Sequence, residues 1–128
     1  MANSYLLIGT DGLTLIDCDL PRRAQHILAA IARLGYTPRD LKRILLTHAD
    51  GDHVGGLAAL RAASGAAVYA HPFEADALAA GRFPRPLRAP WWMRPLLALS
   101  ARFFRVEPQP VDGTLQDGQT LPILGGLQ

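Results

Sequence analysis

The segment that most restricts the fold is an apolar run that ends in a dense group of metal-binding side chains and passes straight into a helix-like run. Arg43-Ile44-Leu45-Leu46 reads as a buried strand leading into Thr47, and Val54 to Ser64 reads as a helix closed by Gly65. Between them His48-Ala49-Asp50-Gly51-Asp52-His53 packs two imidazoles and two carboxylates into six positions. A strand, a short loop and a helix in this order form the repeating unit of αβ layers.

The flanks continue the alternation. Ser4–Gly9 and Leu13–Asp17 read as strands joined at Thr10-Asp11-Gly12, a hairpin signal. Tyr5-Leu6-Leu7-Ile8 is continuously apolar, which predicts a strand covered on both faces. Ala24, Ile27, Leu28, Ile31 and Leu34 form one stripe of a helix over Arg22–Leu34, stopped by Gly35. Thr37 and Pro38 predict the N-cap and first position of a short helix. Ala67–Ala70 reads as a strand and Phe73–Ala80 as a short helix ended by Gly81. Pro84, Pro86, Pro90 and Pro95 forbid long regular structure between Gly81 and Pro95. Leu96–Phe104 then reads as a helix, and Val111 onward as a strand, a turn at Asp117-Gly118, and a strand over Leu121–Leu124. The pattern predicts an α/β domain, a mixed sheet with helices on one face.

Composition sets the outer limits. The 128 residues are 49% hydrophobic and 19% charged, the balance of one ordered globular domain. The single cysteine, Cys18, rules out an intrachain disulfide and fits a reducing compartment. Cys18 is expected to be a small buried residue. The N-terminal residues carry no basic region or long apolar run, so the expected location is the cytoplasm. Net charge is only +2, yet Arg82, Arg85, Arg88, Arg94, Arg102 and Arg105 follow one another without an acidic residue between them. With Trp91, Trp92, Phe103 and Phe104 this stretch suits a solvated loop and helix face better than a nucleic-acid or membrane surface.

The His48–His53 group carries the chemistry. Imidazole and carboxylate are ligands that zinc, iron and manganese accept. Gly51 lets the loop fold tightly. Ligands one and two residues apart do not easily share one tetrahedral ion, so two adjacent ions are the more natural product. Each residue also has an ordinary use taken singly: Asp50 or Asp52 can cap the following helix, and the histidines can be plain strand-end and helix-start residues. It is the combination, after a strand and before Gly55-Gly56, that points to a metal.

Leu45-Leu46-Thr47-His48-Ala49-Asp50-Gly51-Asp52-His53-Val54-Gly55-Gly56-Leu57 resembles the T-H-x-H-x-D-H-x-G-G motif of the metallo-β-lactamase superfamily. Asn3–Ile8 with Leu15-Ile16-Asp17, Val68–Pro72, and Asp117–Leu121 with Gly125-Gly126-Leu127 resemble flanking segments of that family in the right order. Asp50 stands where the motif has its second histidine. Oxygen can ligate there, H-x-D-x-D-H variants occur in bacterial members, and the change moves metal preference toward iron or manganese.

The resemblance implies the first αβ half of a four-layer αββα sandwich, one domain over residues 1–128 that stops before the family's third metal-binding histidine. It implies His48 and Asp50 as ligands of a first metal, and Asp52 and His53 as ligands of a second. Two zinc ions are the family's complement, with iron or manganese as substitutes. Asp52 would also act catalytically by orienting the attacking water, with a small-molecule ester, thioester, lactone or lactam-like bond as substrate. His71 is a candidate for supporting a ligand or touching substrate, and His26 is expected to be exposed. With part of the family's ligand set outside the chain, weak metal binding is expected. A sheet face left without its second layer implies a homodimer or a complementing half-domain. The alternative is a non-catalytic binding protein that keeps half of the fold.

Overall fold

The computed structural model describes residues 3–82, 90–93, 95 and 107–123. The predicted helix over Leu96–Phe104, most of the arginine-rich stretch and the end of the predicted last strand lie outside these residues.

The elements run β1 (Tyr5–Gly9), β2 (Gly12–Ile16), α1 (Ala24–Arg33), a 3₁₀ turn (Pro38–Asp40), β3 (Leu41–Leu46), α2 (Gly51–Val54), α3 (Leu57–Ser64), β4 (Ala67–Ala70), α4 (Pro72–Ala79), a 3₁₀ turn (Trp91–Met93) and β5 (Gly113–Thr114). The five strands form one mixed sheet in the order β1-β2-β3-β4-β5. β1 and β2 are antiparallel and every later pair is parallel. Thr10 and Asp11 make the hairpin turn, and Gly12 follows at φ +125°, where a Cβ would lie 2.7 Å from the Asp40 carbonyl oxygen.

Register places Leu6, Leu15, Ile44 and Val68 side by side on one face, joined by Leu13, Leu46 and Ala70. α1 brings Ala24, Ile27 and Ile31 onto this face, α3 brings Leu57 and Leu60, and α4 brings Leu78. The predicted stripe of α1 is thus the one that is buried. Leu34, beyond the helix, is exposed. Tyr5, Ile16, Leu45 and Tyr69 line the opposite face. Ile16 and Leu45 from the strands and Thr47 just past β3 line a cavity of about 250 Å³ there together with Leu115 and Leu121.

Four expectations need correction. The apolar run Tyr5–Ile8 is not covered on both faces. β1 is an edge strand among the described residues, and Tyr5 and Ile8 are 58% and 48% exposed. A run of apolar residues reports what a strand can bury, not whether a neighbour is there to bury it. Arg22 does not open α1: it has φ +69°, and the helix starts at Ala24. The helix predicted over Val54–Ser64 is two helices, broken at Gly55-Gly56. A Cβ on Gly55 would lie 2.2 Å from the Pro21 nitrogen, and one on Gly56 would lie 2.4 Å from the Cys18 carbonyl oxygen. The two glycines let the loop after β2 press against the start of α3. Lastly, the strand expected from Val111 shrinks to Gly113–Thr114, with Leu121 in an isolated bridge.

Among the described residues no helix is long and apolar enough to cross a membrane.

Candidate metal centre

β3 ends at Leu46, and the chain leaves the sheet through Thr47 and His48 into the loop that α2 closes. The one-turn helix Gly51–Val54 carries Asp52 and His53, with Asp50 at its N-cap position. The Asp50 carbonyl accepts from the amides of His53 and Val54, and this turns the second half of the cluster back toward the first. Ligating atoms of His48, Asp52 and His53 all lie within 4.8 Å of one another. The two imidazole rings are 3.8 Å apart, centroid to centroid. Asp50 Oδ2 lies 3.6 Å from His48 Nε2, outside the group of three, and Asp52 Oδ2 lies 3.7 Å from His53 Nε2. The cluster therefore holds its imidazoles side by side, tilted 44° to each other, with a carboxylate beside each.

Behind it stands a residue that the sequence reading did not single out. Asp17, at the end of β2, is 3% exposed and has φ +59°. Its Oδ1 accepts from the Thr47 amide at 2.9 Å, and its Oδ2 takes the Thr47 hydroxyl at 2.7 Å and His53 Nδ1 at 2.8 Å. An ionised carboxylate only accepts, so His53 Nδ1 carries the proton and its Nε2 keeps a lone pair. Thr47 spends its single hydroxyl hydrogen on Asp17. At 2.9 Å from His48 Nδ1 its oxygen is therefore an acceptor, and His48 also carries its proton on Nδ1. One buried carboxylate thus sets both imidazoles in the tautomer that leaves Nε2 open to a metal.

The loop from Asp17 to Arg22 keeps this arrangement in place. Asp17, Asp19 and Arg22 all have left-handed backbones, a conformation Asp tolerates better than most residues. The Asp17 amide bonds the Leu45 carbonyl, and the Cys18 amide bonds the His53 carbonyl. The only sequence signal for Asp17 was a carboxylate closing an apolar strand. Cys18 is fully buried, as expected, and burial with the neighbouring Asp17 charge pushes its thiol up, away from the reactive thiolate.

His71 lies at the end of β4, next to β3 in the sheet. It is exposed, and its Nδ1 accepts from the Phe73 amide at 3.2 Å, so it caps α4. His26 is exposed on α1.

Two imidazole nitrogens and a carboxylate within 4.8 Å, with the imidazoles held in the ligating tautomer, fit a divalent metal by donor chemistry. Residues 1–126 match the metallo-β-lactamase superfamily. The chain belongs to that superfamily. The superfamily is one of metal-binding hydrolases, and the chain has its mixed αβ layer. A metallo-β-lactamase from Cronobacter sakazakii, solved as a mutant of its HARLDQ motif, is 35% identical and superposes with a TM-score of 0.72, covering 92% of this chain and 42% of that one. A hydroxyacylglutathione hydrolase of Albidiferax ferrireducens is 51% identical over 49 residues, 38% of this chain and 18% of the relative. The protein YobT of Bacillus subtilis, itself uncharacterized, is 47% identical over 55 residues, 43% of this chain and 22% of the relative. The chain thus spans less than half the length of the relatives it matches.

Proposed function

We propose that this chain provides the first metal-binding segment of a hydrolase that directs water onto an ester, thioester, lactone or lactam-like carbonyl. The observation that carries the proposal is the convergence of His48, Asp52 and His53 within 4.8 Å, backed by Asp17. The likeness to hydroxyacylglutathione hydrolases supports a thioester as the first bond to test.

His48 and Asp50 would hold one ion, and Asp52 and His53 a second; zinc is the first choice, iron or manganese the substitutes. The chemistry supplied by bound metal is Lewis acidity, which acidifies water and polarises the scissile carbonyl. Asp52 orients the attacking water through a carboxylate oxygen and can hold the proton the water gives up. Asp17 and Thr47 keep the imidazoles in their open tautomer. No protein nucleophile is required, in keeping with the buried, protonated state of Cys18.

The test is metal content and thioester hydrolysis for the purified chain and for its double variant His48→Ala/Asp52→Ala. The parent is expected to bind zinc or manganese and the double variant to bind neither. Equal stoichiometric metal in both would refute the assignment. A metal-free parent would leave a non-catalytic binding role as the better reading. The part-exposed second face of the sheet, with Tyr5, Ile16 and Tyr69 along it, supports pairing with a second copy or a complementing half-domain. A monomer by light scattering at micromolar concentration would refute self-pairing.

A further inference from the structure

α4 reaches the metal loop through a residue other than the histidine that begins it. Glu74, Ala77 and Leu78 are the buried residues of this helix, a stripe spaced three and four apart that faces the core. Two of the three are apolar. The third is a carboxylate, only 4% exposed, at a position where an apolar side chain would be the ordinary choice. Burying a carboxylate is costly unless strong hydrogen bonds offset it. Glu74 Oε2 accepts from the amide of Ala49 at 2.9 Å. Ala49 is itself 1% exposed and sits between His48 and Asp50, beyond the end of β3, where its amide can no longer join the strand ladder. A buried amide without a partner would destabilise the loop, and a carboxylate is the strongest acceptor a side chain can offer it.

The start of α4 is arranged to deliver this contact. His71 caps the helix and Pro72 sets its first backbone angle, so Glu74, three residues past the cap, is held toward the sheet. The loop is therefore gripped from two sides. Asp17 holds its side chains from the end of β2, and Glu74 holds its backbone at Ala49 from α4.

We propose that Glu74 is a positioning residue for the metal-ligand loop, fixing the backbone at Ala49 so that His48 faces His53 and Asp52. The proposal rests on the metal reading above, and its test separates the two. Glu74→Met has similar length and no acceptor oxygen, whereas Glu74→Gln keeps one. Two quantities are read in the full chain: exchange of the Ala49 amide with no metal present, and zinc affinity by competition with a chromophoric chelator. In Glu74→Met the Ala49 amide is expected to lose protection while Leu45, Leu46 and Leu60 keep theirs, and zinc affinity is expected to fall about 10- to 100-fold. Glu74→Gln is expected to restore both to near the parent. Should the Met variant not fold, Glu74→Asp, whose carboxylate stops one methylene short, is read in the same way. Parental Ala49 protection and zinc affinity in Glu74→Met would overturn the proposal. So would loss of protection throughout the chain in Met and Gln variants alike, which would make Glu74 a core-filling residue only. If the parent binds no zinc, the metal reading fails, and Ala49 exchange alone still decides whether Glu74 holds the loop.

Discussion

Leu15, Ile44 and Val68 stand side by side across three strands, and α1 and α3 seal them from water. One position further along the same strands, Ile16, Leu45 and Tyr69 stand side by side on the other face, where Ile16 and Tyr69 remain partly open. The two rows have the same strand geometry and nearly the same hydrophobicity. They differ in what lies over them among the described residues: two amphipathic helices on one side, Leu115 and Leu121 from the short segment after β5 on the other. The candidate metal centre sits at the strand ends where the two faces meet. Hydrophobic content alone thus does not make a core; it needs a second layer at packing distance.

The largest effect should come from truncating the closed row. Ile44 is fully buried, and Ile44→Ala should cost about 2–5 kcal/mol, the transfer loss plus the cavity left behind. Ile16→Ala should cost about 1–2 kcal/mol, because its side chain is already part-solvated and its surroundings can collapse. Urea midpoints of the two variants measure the contrast. Equal losses would mean that the second face is packed as tightly as the first.

Next in size is the rim. Asp17 is as deeply buried as the closed row although it serves side chains that face outward. Asp17→Ala removes the acceptor of both imidazole systems and should weaken metal binding about 10- to 100-fold, or about 1.4–2.7 kcal/mol. Thr47→Val should act on one ring only. Imidazole ¹⁵N shifts in the metal-free protein should show His48 losing its Nδ1–H preference while His53 keeps it, and Thr47→Ser should restore the His48 preference. A His48 tautomer that ignores the Thr47 hydroxyl would break the relay.

A smaller effect should come from the clip that fastens the chain entering β5 to β4 and α3. Asp112 Oδ2 accepts from the buried Val68 amide at 2.8 Å, and both its oxygens meet Arg61 Nη2 at 2.9 Å. Arg61 also bonds the Pro110 carbonyl. Asp112→Ala leaves a buried amide without its side-chain acceptor and should cost about 1–3 kcal/mol. Arg61→Ala removes a part-exposed ion pair and the exposed bond to the Pro110 carbonyl, and leaves no buried group unpaired, so it should cost about 1 kcal/mol or less. If the order is reversed, the clip is held by charge and not by the Val68 amide.

The same contrast explains what the sequence could reveal. The stripe Ala24-Ile27-Ile31 and the run Ile44-Leu45-Leu46 are local patterns with one physical meaning each, and both appear as expected. Of the four candidate ligands His48, Asp52 and His53 stand within one group, because a strand end and a one-turn helix bring near neighbours together, while Asp50 lies outside it. Asp17 and Glu74 were not legible as members of the site. Each is a single polar residue in an otherwise apolar pattern, and their partners lie 30 and 25 positions away. The break at Gly55-Gly56 was hidden for a related reason. Both glycines keep helical backbone angles, and the interruption accommodates the Cys18–Pro21 loop, a tertiary approach that no local pattern encodes. Exposure of β1 was misread because an apolar run does not say whether a partner layer is present.

The smallest effect concerns the polar end of the open face. Arg43 lies on that face with Thr14 and pairs with Asp11 in the hairpin turn. The hydrogen bond from Arg43 holds the Asp11 carboxyl below its ordinary value, with the Arg43 and Lys42 charges adding to the effect. A carboxyl whose value is lowered on folding binds protons more readily in the unfolded chain, so stability rises with pH through that range. The contribution is therefore complete above the ordinary carboxylate value, about pH 4, and is lost as pH falls through the lowered folded value. Asp11→Asn should be slightly less stable than the parent at neutral pH, and the gap should close on acidification below about pH 4. Asp40, also lowered by its bonds to Thr37, is common to both proteins and cancels in the difference. Because Asp11 is fully exposed, added salt should shrink the gap at neutral pH as well. A gap that persists in acid would assign the loss to the hairpin turn itself. No gap at any pH would show that the open face gains nothing from its charged end and is held by Ile16, Leu45 and Tyr69 alone.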